Sequence, residues 1–426
     1  MRLSKRKPPL VASILMLVFV PPLHYVLGGA SSMSLGVIVA SVLTIVLLGL
    51  TPPLAKFTGC EKWLAISAGV IFIKALVDIL IRPSLVDLVA FLGIFIVLVA
   101  ANCFASFLWK SRPKETRHVF ITVSIILCIL LLFATFSRIS IQNYAIYPQN
   151  VFPYSEPSHF AIFCTPLIAA GIIVARIPVM ILLFATILSA AFLIPNLTLA
   201  VQSLLFFTVF IGAMNRNIIA LIPVFIILIL AAVSITTKGV HGILPEYFMD
   251  RVSFTDAENI STLVYLQGWD RSLISLETTH GLGVGFQNLG NLAGGDYGAR
   301  LFNILQFDKN LKDGGFLFAK LVGEFGVFGL LFCIAYLCVF WSAFSDLTKQ
   351  LNRLIFCRPH NRWQPGYQET ILGAVGNTFI VSFIIELYVR AVGYFSLGIF
   401  LFAVGLFLRS LGKNRKSPQL DVGSHS

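Results

Sequence analysis

The feature that most constrains this chain is a series of apolar runs that repeatedly exceed the roughly 18 residues separating a membrane span from a core helix. Of its 426 residues, 57% are hydrophobic and only 12% are charged. Lipid-exposed backbone must satisfy its own hydrogen bonds, and the runs are too long and uniformly apolar for barrel strands. The sequence therefore predicts an all-α polytopic membrane protein with about 12 transmembrane helices. They are placed at 10–28, 34–50, 63–81, 85–108, 119–137, 158–175, 178–194, 197–213, 218–236, 316–344, 371–388 and 392–409.

The distribution of basic residues predicts the orientation of these spans. With the N-terminus in the cytoplasm, every second connection is rich in Lys and Arg, and these short loops and tails hold 20 of the 31 basic residues. This distribution places both termini in the cytoplasm. Because the basic residues follow the alternation of the connections, membrane topology accounts for the net charge of +12, and we expect no nucleic-acid partner. The first span follows a basic segment as in a signal peptide, and we expect it to stay uncleaved.

The predicted outer connections are 29–33, 82–84, 138–157, 195–196, 237–315 and 389–391. The loop at 237–315, about 79 residues, separates the first nine spans (1–236) from the last three (316–412). Such a length indicates a functional or a disordered segment, and its many aromatic residues favour a folded one. We expect a partly helical periplasmic cap with helices near 257–278 and 299–312. Residues 413–426 are expected to be a disordered cytoplasmic tail.

The stretch YSEPSHFA (154–161) joins the second-longest outer connection to the sixth span. Pro157 suits a first helical turn, and Glu156 would lie near the positive end of the helix dipole. One interpretation is therefore a capping carboxylate. The other is that Glu156, with His159 beside it, accepts a proton from a polar substrate or orients it at the membrane edge.

Three arginines are scattered through the large loop: Arg251, Arg271 and Arg300. His241 and His280 accompany them. An Arg guanidinium matches phosphate oxygens with two parallel hydrogen bonds, and outside a membrane the expected phosphates belong to lipids or lipid-diphosphate carriers. The alternative is ordinary pairing with carboxylates, since an Asp directly precedes both Arg251 and Arg271.

The glycine-rich stretch GLGVGFQNLGN (281–291) lacks the preceding strand and following Lys-Ser/Thr of a nucleotide site. Its glycines are expected to allow tight turns or close backbone approach. Within the spans, Lys74 and Asp78 are spaced i,i+4 and are read either as a structural pair or as functional groups, and Glu386 is a further buried candidate. No metal-ligand spacing occurs, so no metal is predicted, and the seven Cys imply no disulfide framework.

Together, RSLISLETTHGLGVGFQNLGN (271–291), GGFLFAKLVGEFGVFGLLF (314–332) and the EPS of 156–158, with Arg138 ahead of it, resemble the O-antigen polymerase and ligase superfamily. The resemblance covers roughly 138–335. The ligase branch usually has a His-Asn pair where this chain reads KDGG (312–315), which favours the polymerase branch. The Ser-Arg that family members often carry in a mid-chain span is absent from 194–203, and Arg138 is the candidate for its role.

The resemblance implies a glycosyltransferase of the bacterial inner membrane that moves a growing glycan from undecaprenyl diphosphate onto another lipid-linked repeat unit. Arg271 first, then Arg138 and Arg251, would stabilise the departing diphosphate. Glu156 would be the base, with His159 or His280 as alternatives. Substrate binding is assigned to Arg251, His159, His280, Arg300, Gly283 and Gly285. No cofactor is needed, because the donor is already activated.

Three points stay open at the level of sequence. One alternative is an O-antigen ligase that transfers the glycan to lipid A-core. Another is a transporter or flippase of lipid-linked glycans, although transporters of the commonest twelve-span type have two similar halves and this chain has its long loop in one half only. Besides lipid-linked oligosaccharide and membrane lipids, a chain-length regulator protein is left open as a partner.

Overall fold

The computed structural model describes residues 7–28, 32–51, 57–136, 150–194, 196–214, 259–292, 294–356 and 366–414. These ranges contain fourteen α-helices and one short 3₁₀ helix, Leu289–Asn291. The α-helices are α1 Lys7–Leu27, α2 Ser34–Leu48, α3 Cys60–Ile81, α4 Leu85–Trp109, α5 Pro113–Phe136, α6 Pro157–Val174, α7 Ile177–Leu193, α8 Leu197–Met214, α9 Ile260–Thr278, α10 Gly295–Leu305, α11 Leu317–Phe325, α12 Val327–Phe356, α13 Tyr367–Tyr388 and α14 Leu397–Asn414.

Among the described residues, eight helices are long and apolar enough to cross a membrane: α1, α3, α4, α5, α6, α8, α12 and α13. Helices α2 and α7 are apolar but shorter. The outer faces of α3 and α4 expose Leu80, Leu85 and Val86, each more than 70% accessible, as expected for a surface in contact with lipid. The prediction of a helical polytopic membrane protein is confirmed. The predicted count of twelve is not confirmed, and the ninth predicted span, 218–236, lies outside the described residues.

Helices α6 and α13 form the centre of the bundle. About 89% of the most apolar window of α6 and 83% of that of α13 is buried, compared with 22% for α3. Helix α13 packs against α14, α12 and α6, and α6 also packs against α5. Small residues permit close contact: a Cβ on Gly405 of α14 would lie 2.5 Å from the carbonyl oxygen of Gly376 in α13. In a membrane, such close packing replaces the hydrophobic driving force between helices.

The predicted tenth span, 316–344, is broken in the structure. Helix α11 ends at Phe325, Gly326 has a φ of +59°, and α12 continues from Val327 to Phe356. A Cβ at Gly326 would clash with the backbone around Gly281, so glycine is needed for both the φ angle and the close approach. The periodicity of the sequence could not reveal this break, because both halves are apolar.

The glycine-rich loop 281–285 satisfies the backbone groups that this break leaves free. The amides of Val284 and Gly285 donate to the carbonyls of Gly323 and Glu324, each at 3.0 Å, and the Val327 amide donates to the Gly281 carbonyl at 2.9 Å. Positive φ angles at Gly281, Gly283 and Gly285 shape the loop. The expected turn and close approach are therefore confirmed. The loop therefore caps the end of α11, where helix carbonyls lack partners within the helix.

The described part of the large loop contains α9 and α10. Helix α9 lies within the predicted 257–278, whereas the second helix is Gly295–Leu305 and not 299–312, because Gln306 adopts a left-handed conformation with φ +59° and ends it. The Asp270 carboxylate accepts a hydrogen bond from the Tyr297 amide at 3.4 Å and so holds the start of α10 against α9. Asp270 therefore binds the loop backbone and does not form the ion pair with Arg271 that their adjacency in the sequence suggested.

Two ends of the bundle can be distinguished by their polar contacts. At one end, Arg409 of α14 pairs with Glu61 of α3 and with Asp346 of α12, and Lys413 also pairs with Glu61. All four side chains belong to connections or helix ends predicted on the basic side. At the other end, Lys74 and Asp78 of α3 form an ion pair of 3.0 Å, and Asp78 also accepts from the Phe286 amide of the large loop at 3.0 Å. The alternation of helix ends therefore follows the predicted alternation of connections.

Candidate functional site

A cavity of about 460 Å³ lies where the large loop meets one end of the helix bundle. It is lined by segments from five of the six connections predicted to share the outer face. They are Tyr25, Ser32 and Met33; Glu156, Ser158 and His159; Asn196, Leu197 and Thr198; Ser261, Thr262, Val264, Tyr265, Lys309, Asn310, Asp313 and Gly315 of the loop; and residues 388–392 at and after the end of α13. The charged members of this lining are Glu156, Lys309, Asp313 and Arg390.

The two central helices bring the main polar cluster into this cavity. Helix α6 begins there and α13 ends there, so Glu156 just before α6 faces Arg390 just after α13. The Arg390 Nη2 donates to Glu156 Oε1, and the Ser158 hydroxyl donates to the same oxygen. The His159 Nε2 lies 3.6 Å from Glu156 Oε2. A residue 234 positions away in the chain thus completes the cluster that YSEPSHFA begins.

Cationic neighbours dominate the ionisation of Glu156. Burial by itself raises the pKa of this carboxyl, but Arg390, His159, the Ser158 hydrogen bond and Lys309 together lower the pKa from 4.5 to about 2. Glu156 is therefore ionised at neutral pH and is a weak proton acceptor. Its environment suits it to hold Arg390, which differs from the base role that the sequence suggests.

The capping interpretation of Glu156 is also modified. Pro157 occupies the start of α6, as expected, and Glu156 is the N-cap residue, but its side chain makes no capping hydrogen bond. The carboxylate turns towards Arg390 and Ser158 instead. His159, in the first turn of α6, has a buried Nδ1 with no hydrogen-bond partner within the described ranges. Buried polar atoms normally have a hydrogen-bond partner, so this nitrogen is an exception at the edge of the cavity.

Arg271, the first choice from the sequence, does not line the cavity. Its side chain is fully buried, and its guanidinium donates to three backbone carbonyls. Nη2 donates to Leu289 and Leu292, each at 2.6 Å, and Nη1 donates to Leu311. Burial lowers the pKa of this guanidinium, and the nearby Asp308 carboxylate partly offsets the effect. The guanidinium nevertheless stays charged, since an arginine pKa starts so far above neutrality.

The contact with Leu311 gives Arg271 an indirect connection to the cavity. Leu311 lies in the turn that carries Lys309 and Asp313, both of which line the cavity. The same turn has a left-handed residue, Asn310 (φ +57°), whose carbonyl accepts from the Asp313 amide at 3.3 Å. Arg271 therefore fixes the turn that presents one cation and one carboxylate to the cavity.

The other predicted site residues are not brought together with the cavity. His280 is exposed in the turn after α9, and Arg300 is exposed on α10, where its guanidinium lies 5.8 Å from the Tyr297 ring centre. Gly283 and Gly285 contact the end of α11 and Asp78. Arg138, Arg251 and His241 lie outside the described residues, and the roles predicted for the first two stay predictions.

A buried ionic group centred on Lys320 and Glu324 lies next to the cavity residue Asp313. Lys320 of α11 is 1% exposed, and its ammonium lies 3.1 Å from Glu324 Oε1, 3.3 Å from Gln287 Oε1 and 3.8 Å from Asp313 Oδ1. Tyr394 donates its hydroxyl to Glu324 Oε2 at 2.8 Å. The group links the glycine-rich loop, α11 and the segment after α13, so it ties three parts of the chain together behind Asp313.

Sequence reasoning missed Arg390, Lys309 and Asp313. A usable signal existed for Arg390, because it is a basic residue in a three-residue connection on the side where basic residues are scarce. Lys309 and Asp313 carried no such signal, since polar residues are common in a long loop. Their position at the cavity results from the turn that Arg271 holds.

The described residues contain no group of three or more His, Cys, Asp or Glu side chains that could hold a metal ion. No protein-family model matches this chain, and no curated protein is significantly similar to it in sequence. The resemblance to the polymerase and ligase superfamily therefore depends on the order and spacing of its motifs, and the function that it implies is a proposal.

Proposed function

We propose that the protein is a polysaccharide polymerase of the bacterial inner membrane. It transfers a growing glycan from undecaprenyl diphosphate to the non-reducing end of another lipid-linked repeat unit. The proposal includes twelve spans, cytoplasmic termini and a periplasmic cavity. The resemblance of 138–335 to the polymerase branch suggests the reaction, and the cavity at the end of the bundle supports the proposal.

The observation that carries the proposal is the cavity shared by Glu156, Arg390, Lys309 and Asp313. Its volume of about 460 Å³ is in the usual range for small-molecule sites. It lies at the ends of membrane helices and beneath α9, so a lipid carrier can keep its tail in the bilayer while its headgroup occupies the cavity. The membrane then supplies much of the proximity of the two lipid-linked reactants.

Arg390 and Lys309 are the cations best placed for the departing diphosphate. Negative charge builds on the leaving group as the glycosidic C–O bond breaks, and fixed cations stabilise that charge. A guanidinium has five N–H donors, and the Glu156 contact uses Nη2 of Arg390. Glu156 thereby orients the guanidinium and leaves further donors for phosphate oxygens. Arg138 and Arg251 remain proposed as additional ligands.

The direct test is a reaction with purified full-length protein in nanodiscs and lipid-linked repeat units isolated from the cells that carry it. We expect a ladder of extended lipid-linked glycans. Arg390→Ala should lower the rate by about 10²-fold, the effect typical of removing one fixed donor from a developing anion. Arg390→Lys should also be impaired, because a point charge does not reproduce the planar fork.

Arg82→Ala is the matched control, since Arg82 is exposed at an adjacent helix end and does not line the cavity. It should extend the glycan at the wild-type rate. Unchanged repeat units in the wild-type reaction would refute the polymerase. Transfer that occurs only when lipid A-core is supplied would identify a ligase. In a separate assay with protein in sealed vesicles, movement of the lipid-linked glycan across the bilayer without extension would identify a flippase.

A further inference from the structure

The cavity contains two carboxylates in very different surroundings. The Glu156 side chain is 17% exposed and is engaged by Arg390 and Ser158, whereas Asp313 is 46% exposed. The surroundings of Glu156 stabilise its ionised form, with a pKa of about 2, and so weaken it as a proton acceptor. The cavity therefore has one carboxylate committed to a cation and a second that is accessible.

The structure holds Asp313 in place through a long ion pair and leaves its carboxylate accessible. Its Oδ1 lies 3.8 Å from the Lys320 ammonium, too far for a hydrogen bond, and the same ammonium lies closer to Glu324, at 3.1 Å. Asp313 also passes close over Gly393, where a Cβ would lie 2.6 Å from Oδ1. The lack of a side chain at 393 thus makes room for the carboxylate beside the segment that carries Arg390.

The backbone on the other side of Asp313 is fixed as well. Its amide donates to the Asn310 carbonyl at 3.3 Å, and Arg271 binds the Leu311 carbonyl within the same turn. Lys309 begins this turn and also lines the cavity. A carboxylate and a cation therefore enter the cavity from one turn, which fixes their positions relative to each other. Fixed positions are what a proton acceptor and a leaving-group stabiliser need.

We propose that Asp313 is the catalytic base of this site and accepts the proton of the attacking sugar hydroxyl. The inference deepens the polymerase proposed above and depends on it. The acceptor oxygen forms the new bond to the anomeric carbon while the bond from that carbon to the diphosphate oxygen breaks. The bonding electron pair leaves with the diphosphate beside Arg390 and Lys309. The hydroxyl proton moves to Asp313, which later releases it to water.

The test compares Asp313→Asn, Asp313→Ala and wild-type protein in the nanodisc reaction. Asp313→Asn should lower kcat by at least about 10²-fold, the usual contribution of a general base, with little change in KM for the lipid-linked donor. Added formate should restore part of the activity of Asp313→Ala, because a small carboxylate can take the vacated place. Asp296→Asn, an exposed carboxylate on α10, is the control and should keep the wild-type rate.

The outcomes separate this inference from the proposed function. If wild-type protein extends the glycan and Asp313→Asn does so equally well, Asp313 is not the base, although the polymerase stands. If wild-type protein extends nothing, the polymerase itself fails. Should Asp313→Asn lose activity together with its thermal stability, the formate experiment decides, and the absence of rescue in Asp313→Ala overturns the assignment. If formate rescues Glu156→Ala but not Asp313→Ala, Glu156 is the base and the assignment to Asp313 is wrong.

Discussion

At the scale of single residues, Arg271 contacts the loop backbone and does not line the cavity. It is fully buried and binds the carbonyls of Leu289, Leu292 and Leu311. Hydrogen bonds from charged groups are stronger than neutral ones, and leaving buried carbonyls without partners is costly. The sequence predicted that Arg271 binds the diphosphate, whereas in the structure its guanidinium binds the backbone of the loop.

Arg271→Ala should therefore loosen the loop before it affects any chemistry. We expect chymotrypsin to cut residues 281–315 at least 10-fold faster, because three carbonyls of the loop lose a charged donor worth roughly 1.5–3 kcal/mol per bond. Limited proteolysis of purified protein measures this, and Arg300→Ala on exposed α10 provides the comparison. Lost polymerisation with an unchanged cleavage rate would favour direct contact with the diphosphate.

Glu156 leads to a prediction about acid stability. Its pKa falls from 4.5 to about 2 in the folded protein, so its stabilising contribution is complete above pH 4.5 and disappears as the pH falls towards 2. Near neutral pH, Glu156→Gln should cost about 1–3 kcal/mol, and the difference from wild type should shrink between pH 4.5 and 2.5. Thermal unfolding in detergent measures the difference, and exposed Glu277→Gln should show none. A constant difference across this range would exclude the ion pair as its source.

At the scale of elements, the contact between the glycine-rich loop and the α11–α12 break joins the cap to the membrane helices. A Cβ at Gly283 would lie 2.5 Å from both the Glu324 carbonyl oxygen and the Gly326 amide nitrogen. The break frees backbone groups, and the loop supplies their partners. Each element therefore requires the other, as expected for buried backbone that must form hydrogen bonds.

Gly283→Ala is expected to separate these elements. It combines a positive φ of +78°, worth about 1–2 kcal/mol, with a clash against backbone atoms that cannot move aside. Gly366 also has a positive φ, +100°, but there is open space around it. Gly366→Ala should therefore cost only the φ penalty of about 1–2 kcal/mol, without the steric clash. Melting temperatures of both variants in detergent would reveal the steric part. Equal losses would show that the loop does not depend on this close approach.

At the scale of the whole molecule, the helix ends separate into two groups that match the predicted alternation. The cavity collects segments from predicted outer connections, and Arg409, Glu61, Asp346 and Lys413 meet at the other end. Buried ion pairs lose several kcal/mol when one partner is removed. The second cluster therefore holds α3, α12 and α14 together at the end opposite the proposed chemistry.

The proposed orientation predicts which positions a membrane-impermeant maleimide can reach. Cys placed at Asp296 on exposed α10 should react in cells whose inner membrane is intact, and Cys placed at exposed Lys349 should react only after that membrane is opened. Cys60 and Cys338 are exposed among the described cysteines, and Cys357 lies outside the described residues, so all three positions are first replaced by Ser. The reverse pattern would place the cavity in the cytoplasm and exclude a periplasmic polymerase.

The sequence alone was enough to predict the helical membrane class, the alternation of the connections, the i,i+4 spacing of Lys74 and Asp78, and the turn-forming role of the loop glycines. These features follow from local composition and periodicity, since the bilayer imposes the same requirements on every span. It also indicated that Glu156 and His159 lie at a helix start.

The partners of these residues depend on how the chain folds. Arg390 lies 234 positions from Glu156, and Asp313 and Lys309 reach the same cavity through a turn held by Arg271. The sequence did not predict the break at Gly326, because an apolar run has the same composition whether it forms one helix or two. Pairings between distant segments depend on how helices pack against one another, and no local pattern along the chain records that packing.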